Sequence, residues 1–348
     1  MPHGTQEQAP DYVKTLAVSH YDLPELTSVS RLTHGVNNST ALIASVNENA
    51  SYVIRVYETH RDEAKVLAEH RVLLELSRMD KPFRTPQPLA ARDGRTFAHA
   101  PDGKIAALFR YMDGTHPAFE RLEQLRDFGS KAAALSLALA RIEYSQPTEY
   151  RPYYEIEHTH PLCPPEKVSR FCADPPDRFA VHRSTLRQVD AALQTMLWQR
   201  AVLEELPHQL IHGDLNASNV LADSEHGPIA AILDFEFVTT DLRVMELAVC
   251  LSDLIVPDAD ECRTWAGISA FLQGFGSMLR LTSDEIAAVP PLLALRRLDV
   301  FIHFLGRYWD GVDSAEQLER FIAGIDKRLA WIASHQDRLR SVLAETCG

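Results

Sequence analysis

Between Ile211 and Glu236 the chain runs IHGDLNASNVLADSEHGPIAAILDFE. Asp, Asn and Gly are poor residues for helix and strand interiors, so HGDLNASN reads as a loop. NVLAD and IAAILDF then read as two short strands around a turn at SEHGP. A hairpin of that size carries Asp234, at the end of the second strand, back beside the loop that holds Asp214 and Asn219. This local plan of polar loop, tight hairpin and terminal carboxylate constrains the fold more than any other stretch of the sequence.

The chain differs in character on the two sides of Asp113-Gly114. Residues 1–20 read as a tail and a short helix. From Val29 to Tyr57 the pattern is strand-like: TALIASV and SYVIRVYE flank a turn at NENA. Residues 61–79 combine strong helix formers with apolar Val66, Leu67, Leu73 and Leu74, which predicts a helix. DKPFRTPQPL ends it. Two further strands are expected around RTFAHA and KIAALFRYM, joined by a turn at Asp102-Gly103. Beyond Gly114, helical patterns prevail at 121–144, 184–206, 243–256, 261–279, 292–309 and 314–343. Residues 146–178, rich in Pro, Tyr and His, read as an irregular insert. The expectation is an α+β chain with a strand-rich N-terminal lobe over residues 1–110 and a larger helical C-terminal lobe over 111–348.

Phosphoryl transfer to a hydroxyl needs few protein groups. One carboxylate orients the attacking hydroxyl and accepts its proton, and oxygen ligands hold Mg²⁺ on the nucleotide phosphates. The template H-x-D-x-x-x-x-N is met by His212, Asp214 and Asn219. Asp214 suits the base. Asn219 and Asp234 suit the metal, because Mg²⁺ prefers hard oxygen donors.

With these residues in view, HGDLNASN followed by ILDFE resembles the aminoglycoside phosphotransferase and choline kinase superfamily, small-molecule kinases with a two-lobed protein-kinase-like fold. LDFEFVTTDLRVMELAVCLSDL is most similar to the homoserine kinase branch. The resemblance runs from about Leu32 to about Leu305. It implies ATP and Mg²⁺ as cofactors and a small-molecule hydroxyl as acceptor. It also implies that HGVNNST, with Gly35, Asn37, Asn38 and Ser39, covers the ATP phosphates, and that Arg55 holds them with Glu69 behind it. Adenine is expected at backbone groups of Arg110, Tyr111 and Met112. One departure concerns Glu246-Leu247-Ala248, where the family often has Asp-Leu-Ala; the Asp braces the catalytic loop, and Asp241 is a second candidate for that role. The C-terminal helices of the family line the acceptor pocket, which draws attention to Arg296, Arg297 and Arg307.

Composition narrows the alternatives. A net charge of −13 disfavours nucleic acid and anionic membranes as partners, and no run of about 18 apolar residues suggests a membrane span. Five cysteines without a CxxC, and a polar start to the chain, fit a reducing cytoplasm. Cys250 lies in an apolar run and is expected to be buried. His158-Thr-His160 lacks further ligands at metal spacing, and His212 is expected to be structural. Three readings follow: a kinase of homoserine or a related amino alcohol, an aminoglycoside antibiotic kinase, and a catalytically inactive kinase-like binding protein. Intact Asp214, Asn219 and Asp234 argue against the last. The absence of an A-P-E segment argues against a protein kinase.

Overall fold

The computed structural model describes residues 10–23, 25–31, 38–45, 51–58, 60–144 and 150–348. The chain divides into two compact units, one of Met1–Asp80, Arg84–Gly114 and Ala231–Glu236, the other of Lys81–Phe83, Thr115–Ala230 and Phe237–Gly348.

The first unit holds α1 (Pro10–His20), β1 (Leu26–Arg31), β2 (Asn38–Ser45), β3 (Ser51–Tyr57), α2 (Glu63–Ser77), β4 (Ala98–His99) and β5 (Ile105–Arg110). The strands form one antiparallel sheet in the order β1-β2-β3-β5-β4. Alternation along β3 buries Tyr52, Ile54 and Val56 on one face, where they share a core with Leu16, Ala17 and Tyr21. Arg55 therefore points to the other face, the one covered by α2. That helix starts at Asp62, whose side chain accepts from the Ala64 N–H, and buries Val66, Glu69, His70 and Leu73 at one-turn spacing. The expected turn between β4 and β5 is present: the Ala100 N–H donates to Lys104 O, and Gly103 takes φ +78°.

The second unit holds α3 (Leu122–Leu139), α4 (Pro165–Ala173), α5 (Arg183–Leu203), β6 (His208–Ile211), β7 (Val220–Ala222), the start of β8 (Ile229–Ile232), β9 (Thr239–Leu242), α6 (Arg243–Leu254), α7 (Glu261–Gly276), α8 (Ser283–Trp309), α9 (Ala315–Ile322) and α10 (Ile325–Cys347). Helices α3 and α7 cross at near backbone contact. A Cβ on Gly129 would lie 1.9 Å from Phe271 O, and one on Gly274 would lie 1.8 Å from Arg126 O. The β7–β8 turn is closed by the Asp223 N–H donating to Pro228 O. β6 pairs antiparallel with β9.

Three local expectations are corrected. Residues 146–178 are not simply irregular: α4 lies within them, with short 3-10 turns at Ile156–His158 and Asp177–His182. Pro165 opens α4 instead of breaking it, because a first-turn residue needs no N–H donor. Its Val168, Phe171 and Cys172 are buried. The helix expected from residue 292 begins at Ser283, where Thr282 and Glu285 form a capping box, and it continues through Pro290 and Pro291. An interior proline costs about 3 kcal/mol, and the complete burial of Val289, Leu292 and Leu293 offsets it here. The span 314–343 is two helices, since α9 ends at Ile322 and α10 begins after Gly324.

Among the described residues, no helix is long and apolar enough to cross a membrane. All five cysteines are free, and Cys250 is buried as expected.

Candidate active site

In the second unit, the loop after β6 is shaped by its backbone partners. His212 is fully buried, and its N–H donates to Glu246 Oε2 at 2.5 Å. The nearby Gly213 N–H favours the charge of the same carboxylate, whose Oε1 is buried without a hydrogen-bond donor. Glu246 stands in the first turn of α6 and is itself fully buried. Burial pushes its pKa up, against His212 and the two backbone donors. Glu246 thus takes the place expected of the family aspartate, and its extra methylene spans to the loop. Gly213 has φ +81°, and a Cβ there would lie 2.7 Å from Phe237 O, so glycine is required. The Asp214 N–H then donates to His212 Nδ1 at 3.2 Å.

Asp214 projects from this loop with about a fifth of its side chain exposed. Asn219 Nδ2 donates to Asp214 O at 2.8 Å and to Asp214 Oδ2 at 3.1 Å. The five-residue spacing in the sequence is therefore a direct side-chain contact. Use of Nδ2 in this way leaves the Asn219 amide oxygen with one long contact, the Ser218 hydroxyl at 3.5 Å. On the other side, Arg296 Nη2 of α8 pairs with Asp214 Oδ1. Arg296 Nη1 donates to Tyr153 Oη at 2.8 Å, and that hydroxyl donates to Gly213 O at 2.6 Å. The Tyr153 N–H is held by Asp241 Oδ2 at 2.6 Å. Asp241 therefore reaches the loop through Tyr153. Burial pushes its pKa up to about 7 in spite of two backbone donors, Tyr153 and Leu242.

In the first unit, Arg55 Nη1 bonds Glu69 Oε1 at 2.8 Å, with side chains 12% and 2% exposed. A buried pair, not a surface one, stands at the position expected to meet phosphates. The Tyr57 hydroxyl donates to Glu69 Oε2 at 2.9 Å. Burial works against the Arg55 charge, but Glu69 and then Asp234 outweigh it and hold the pKa above the ordinary arginine value. Asp234 follows β8 with φ +62°, a conformation few side-chain-bearing residues adopt. Its Oδ1 is shielded from solvent, receives no hydrogen bond, and lies 3.4 Å from Arg55 Nη2. A shielded carboxylate oxygen without a donor fits a metal ligand. Asn38 Nδ2 donates to Glu236 Oε2 at 2.7 Å.

Of the remaining expected site residues, Ser39 sits in β2 opposite Val56. Arg110 ends β5, and the Tyr111 N–H donates to Ser51 O, with Met112 following in the connecting segment. Gly35 and Asn37 lie outside the described residues. Among the described residues, no group of three or more His, Cys, Asp or Glu could hold a metal; His160 Nδ1 instead accepts from the Leu162 N–H. Sequence reasoning missed Tyr153 and the Glu236–Asn38 pair. Arg296 was one arginine among three candidates, and nothing local in the sequence separates it from Arg297, which donates to Ser252 O, or Arg307, which grips Asp313.

A kinase-like α+β fold with this loop defines an enzyme that transfers a phosphoryl group to the hydroxyl of a small molecule. The chain belongs to the phosphotransferase enzyme family, whose model matches residues 28–278. It is 29% identical over 280 residues to a homoserine kinase of Gluconacetobacter diazotrophicus, covering 80% of each chain. It is 24% identical over 288 residues to a homoserine kinase of Bradyrhizobium, covering 82% of this chain and 80% of that one. Among solved structures, a microcompartment-associated aminopropanol kinase matches with a TM-score of 0.70 at 20% identity, over 94% of this chain and 98% of that one. An amicoumacin kinase solved with AMP-PNP and Ca²⁺ matches at 0.66 and 18%, over 92% and 94%.

Proposed function

We propose that the chain transfers the γ-phosphate of ATP, with Mg²⁺, to the hydroxyl of a small amine-bearing acceptor, and that homoserine is the acceptor to try first. The observation that carries the reading is Asp214, a partly exposed carboxylate fixed by Asn219 on one oxygen and Arg296 on the other. Such a group orients an acceptor hydroxyl and takes its proton as the phosphoryl group departs from ADP. Arg55, kept charged by Glu69, steadies the phosphates. Gly35, Asn37, Asn38 and Ser39 are assigned to the phosphate-covering loop, and Arg110, Tyr111 and Met112 to adenine. Asn219 and Asp234 are the residues that would hold Mg²⁺, which supplies charge neutralisation on the phosphate oxygens. The homoserine assignment is supported by the relatives named above and by the acidic character of the chain, which favours an amine.

Three measurements test this. Saturating MgATP raises the melting temperature, since a ligand at about 100 times its Kd stabilises by about 2.7 kcal/mol. Asp234→Asn weakens MgATP binding in calorimetry more than Asp214→Asn does, and equal losses contradict the assigned roles. Steady-state turnover with homoserine, choline, methylthioribose and kanamycin identifies the acceptor. ADP formation with kanamycin alone moves the assignment to an antibiotic kinase. No acceptor-dependent ADP together with no MgATP shift leaves the binding-protein reading.

A further inference from the structure

We infer that Arg296 and Asp299, one turn apart on α8, are the acceptor-recognition pair: the guanidinium receives a carboxylate, the Asp299 carboxylate receives an ammonium, and the site selects a hydroxy amino acid over a simple amino alcohol. This rests on the reading of Asp214 as the base.

The placement is specific. Arg296 is the arginine of α8 that touches Asp214. Arg297 and Arg307 are committed to Ser252 O and to both oxygens of Asp313. The Arg296 guanidinium is held from behind by Tyr153, with Cζ 5.6 Å from the ring centroid and Nη1 on its hydroxyl. Asp299 Oδ2 lies 3.5 Å from Arg296 Nη1, and its Oδ1 accepts from the Thr159 hydroxyl at 3.0 Å. Both side chains are mostly buried, 17% and 19% exposed, so their orientation is fixed and their charges are weakly screened.

The charge count explains what this arrangement selects. Arg296, Asp214 and Asp299 sum to one negative charge, and Arg296 lies on the oxygen of Asp214 that an acceptor hydroxyl has to share. An acceptor carboxylate offers Arg296 a bidentate partner in place of Asp214. Asp299, sharing Arg296 with that carboxylate, then has an ammonium of its own. A zwitterion thus leaves the local charge unchanged and frees the base. An amino alcohol without a carboxylate finds the base still occupied.

The test compares kcat/KM for homoserine, for 3-aminopropan-1-ol (the same skeleton without the carboxylate) and for 4-hydroxybutanoate (the same without the ammonium). Ratios between acceptors cancel any general damage to Asp214. Arg296→Gln lowers the homoserine/3-aminopropan-1-ol ratio at least about tenfold, the size of one charge-assisted hydrogen bond. Asp299→Asn lowers the homoserine/4-hydroxybutanoate ratio by a similar factor. Arg296→Lys, which keeps the charge and loses the fork, serves if the glutamine variant does not fold. Rates that fall equally for all three acceptors overturn the pair and leave the kinase reading intact. A wild-type enzyme that phosphorylates none of the three while turning over another acceptor overturns the homoserine reading and the pair together.

Discussion

Glu246→Ala removes the carboxylate that holds the backbone N–H of His212. That donor does not reach water through this site, because His212 and Glu246 are fully buried. A buried donor left unsatisfied costs about 1–3 kcal/mol. The variant also relieves the desolvation that raises the Glu246 pKa. This gives back part of the loss, for an expected net destabilisation of about 1–2 kcal/mol. The functional effect is larger than the stability effect. The released segment is the one that aims Asp214, and a displacement of about 1 Å at a reacting group lowers rate by about 100-fold. Urea unfolding gives the first quantity, and kcat with saturating acceptor, on the fraction still folded, gives the second. A folded variant with stability within about 1 kcal/mol of wild type and unchanged kcat would falsify the claim that Glu246 positions the loop.

Arg55→Ala leaves Glu69 buried with Tyr57 as its remaining hydrogen-bond partner here. Chemical denaturation should show a loss of about 3–5 kcal/mol, and a loss below about 1 kcal/mol would mean the pair behaves as a surface one. Gly213→Ala meets both a positive φ and the Phe237 carbonyl; it should destabilise by about 1–3 kcal/mol, and a melting temperature equal to wild type contradicts the required glycine. Asp241 has its carboxyl pKa raised from 3.8 to about 7. Between those values the folded state holds a proton that the unfolded state has released, so stability falls as pH rises through this window, by up to about 4 kcal/mol. Asp241→Asn should flatten that decline in melts from pH 4 to pH 7, and an unaltered slope contradicts the assignment.

What the sequence disclosed and what it concealed have separate physical causes. The Asp214–Asn219 contact is fixed by covalent spacing within one loop, so the pattern of types sufficed to find it. The Arg55–Glu69 pair follows from strand alternation and helix periodicity, which place Arg55 opposite Ile54 and Val56 and Glu69 on the buried stripe of α2. Tyr153 and Arg296 reach the loop from 60 and 82 residues away. Nothing in their local context records those contacts, because tertiary packing decides them. Helix starts were missed at Pro165, inside the stretch read as irregular, and at Ser283, where the helix runs through Pro290-Pro291 ahead of the start expected at residue 292. Position within the helix, and burial around it, set the cost of a proline there.

The proposed role of Asp214, the base of a small-molecule hydroxyl kinase, is tested most directly by acceptor-dependent ADP release from wild type and from Asp214→Asn, with MgATP binding followed in parallel. Wild type should yield ADP and a phosphate ester of the acceptor in equal amounts. Asp214→Asn should bind MgATP nearly as well yet turn over at least about 100-fold more slowly, the lower range for removal of a general base. A variant that retains wild-type turnover, or a wild type that releases no ADP with any acceptor, contradicts that role.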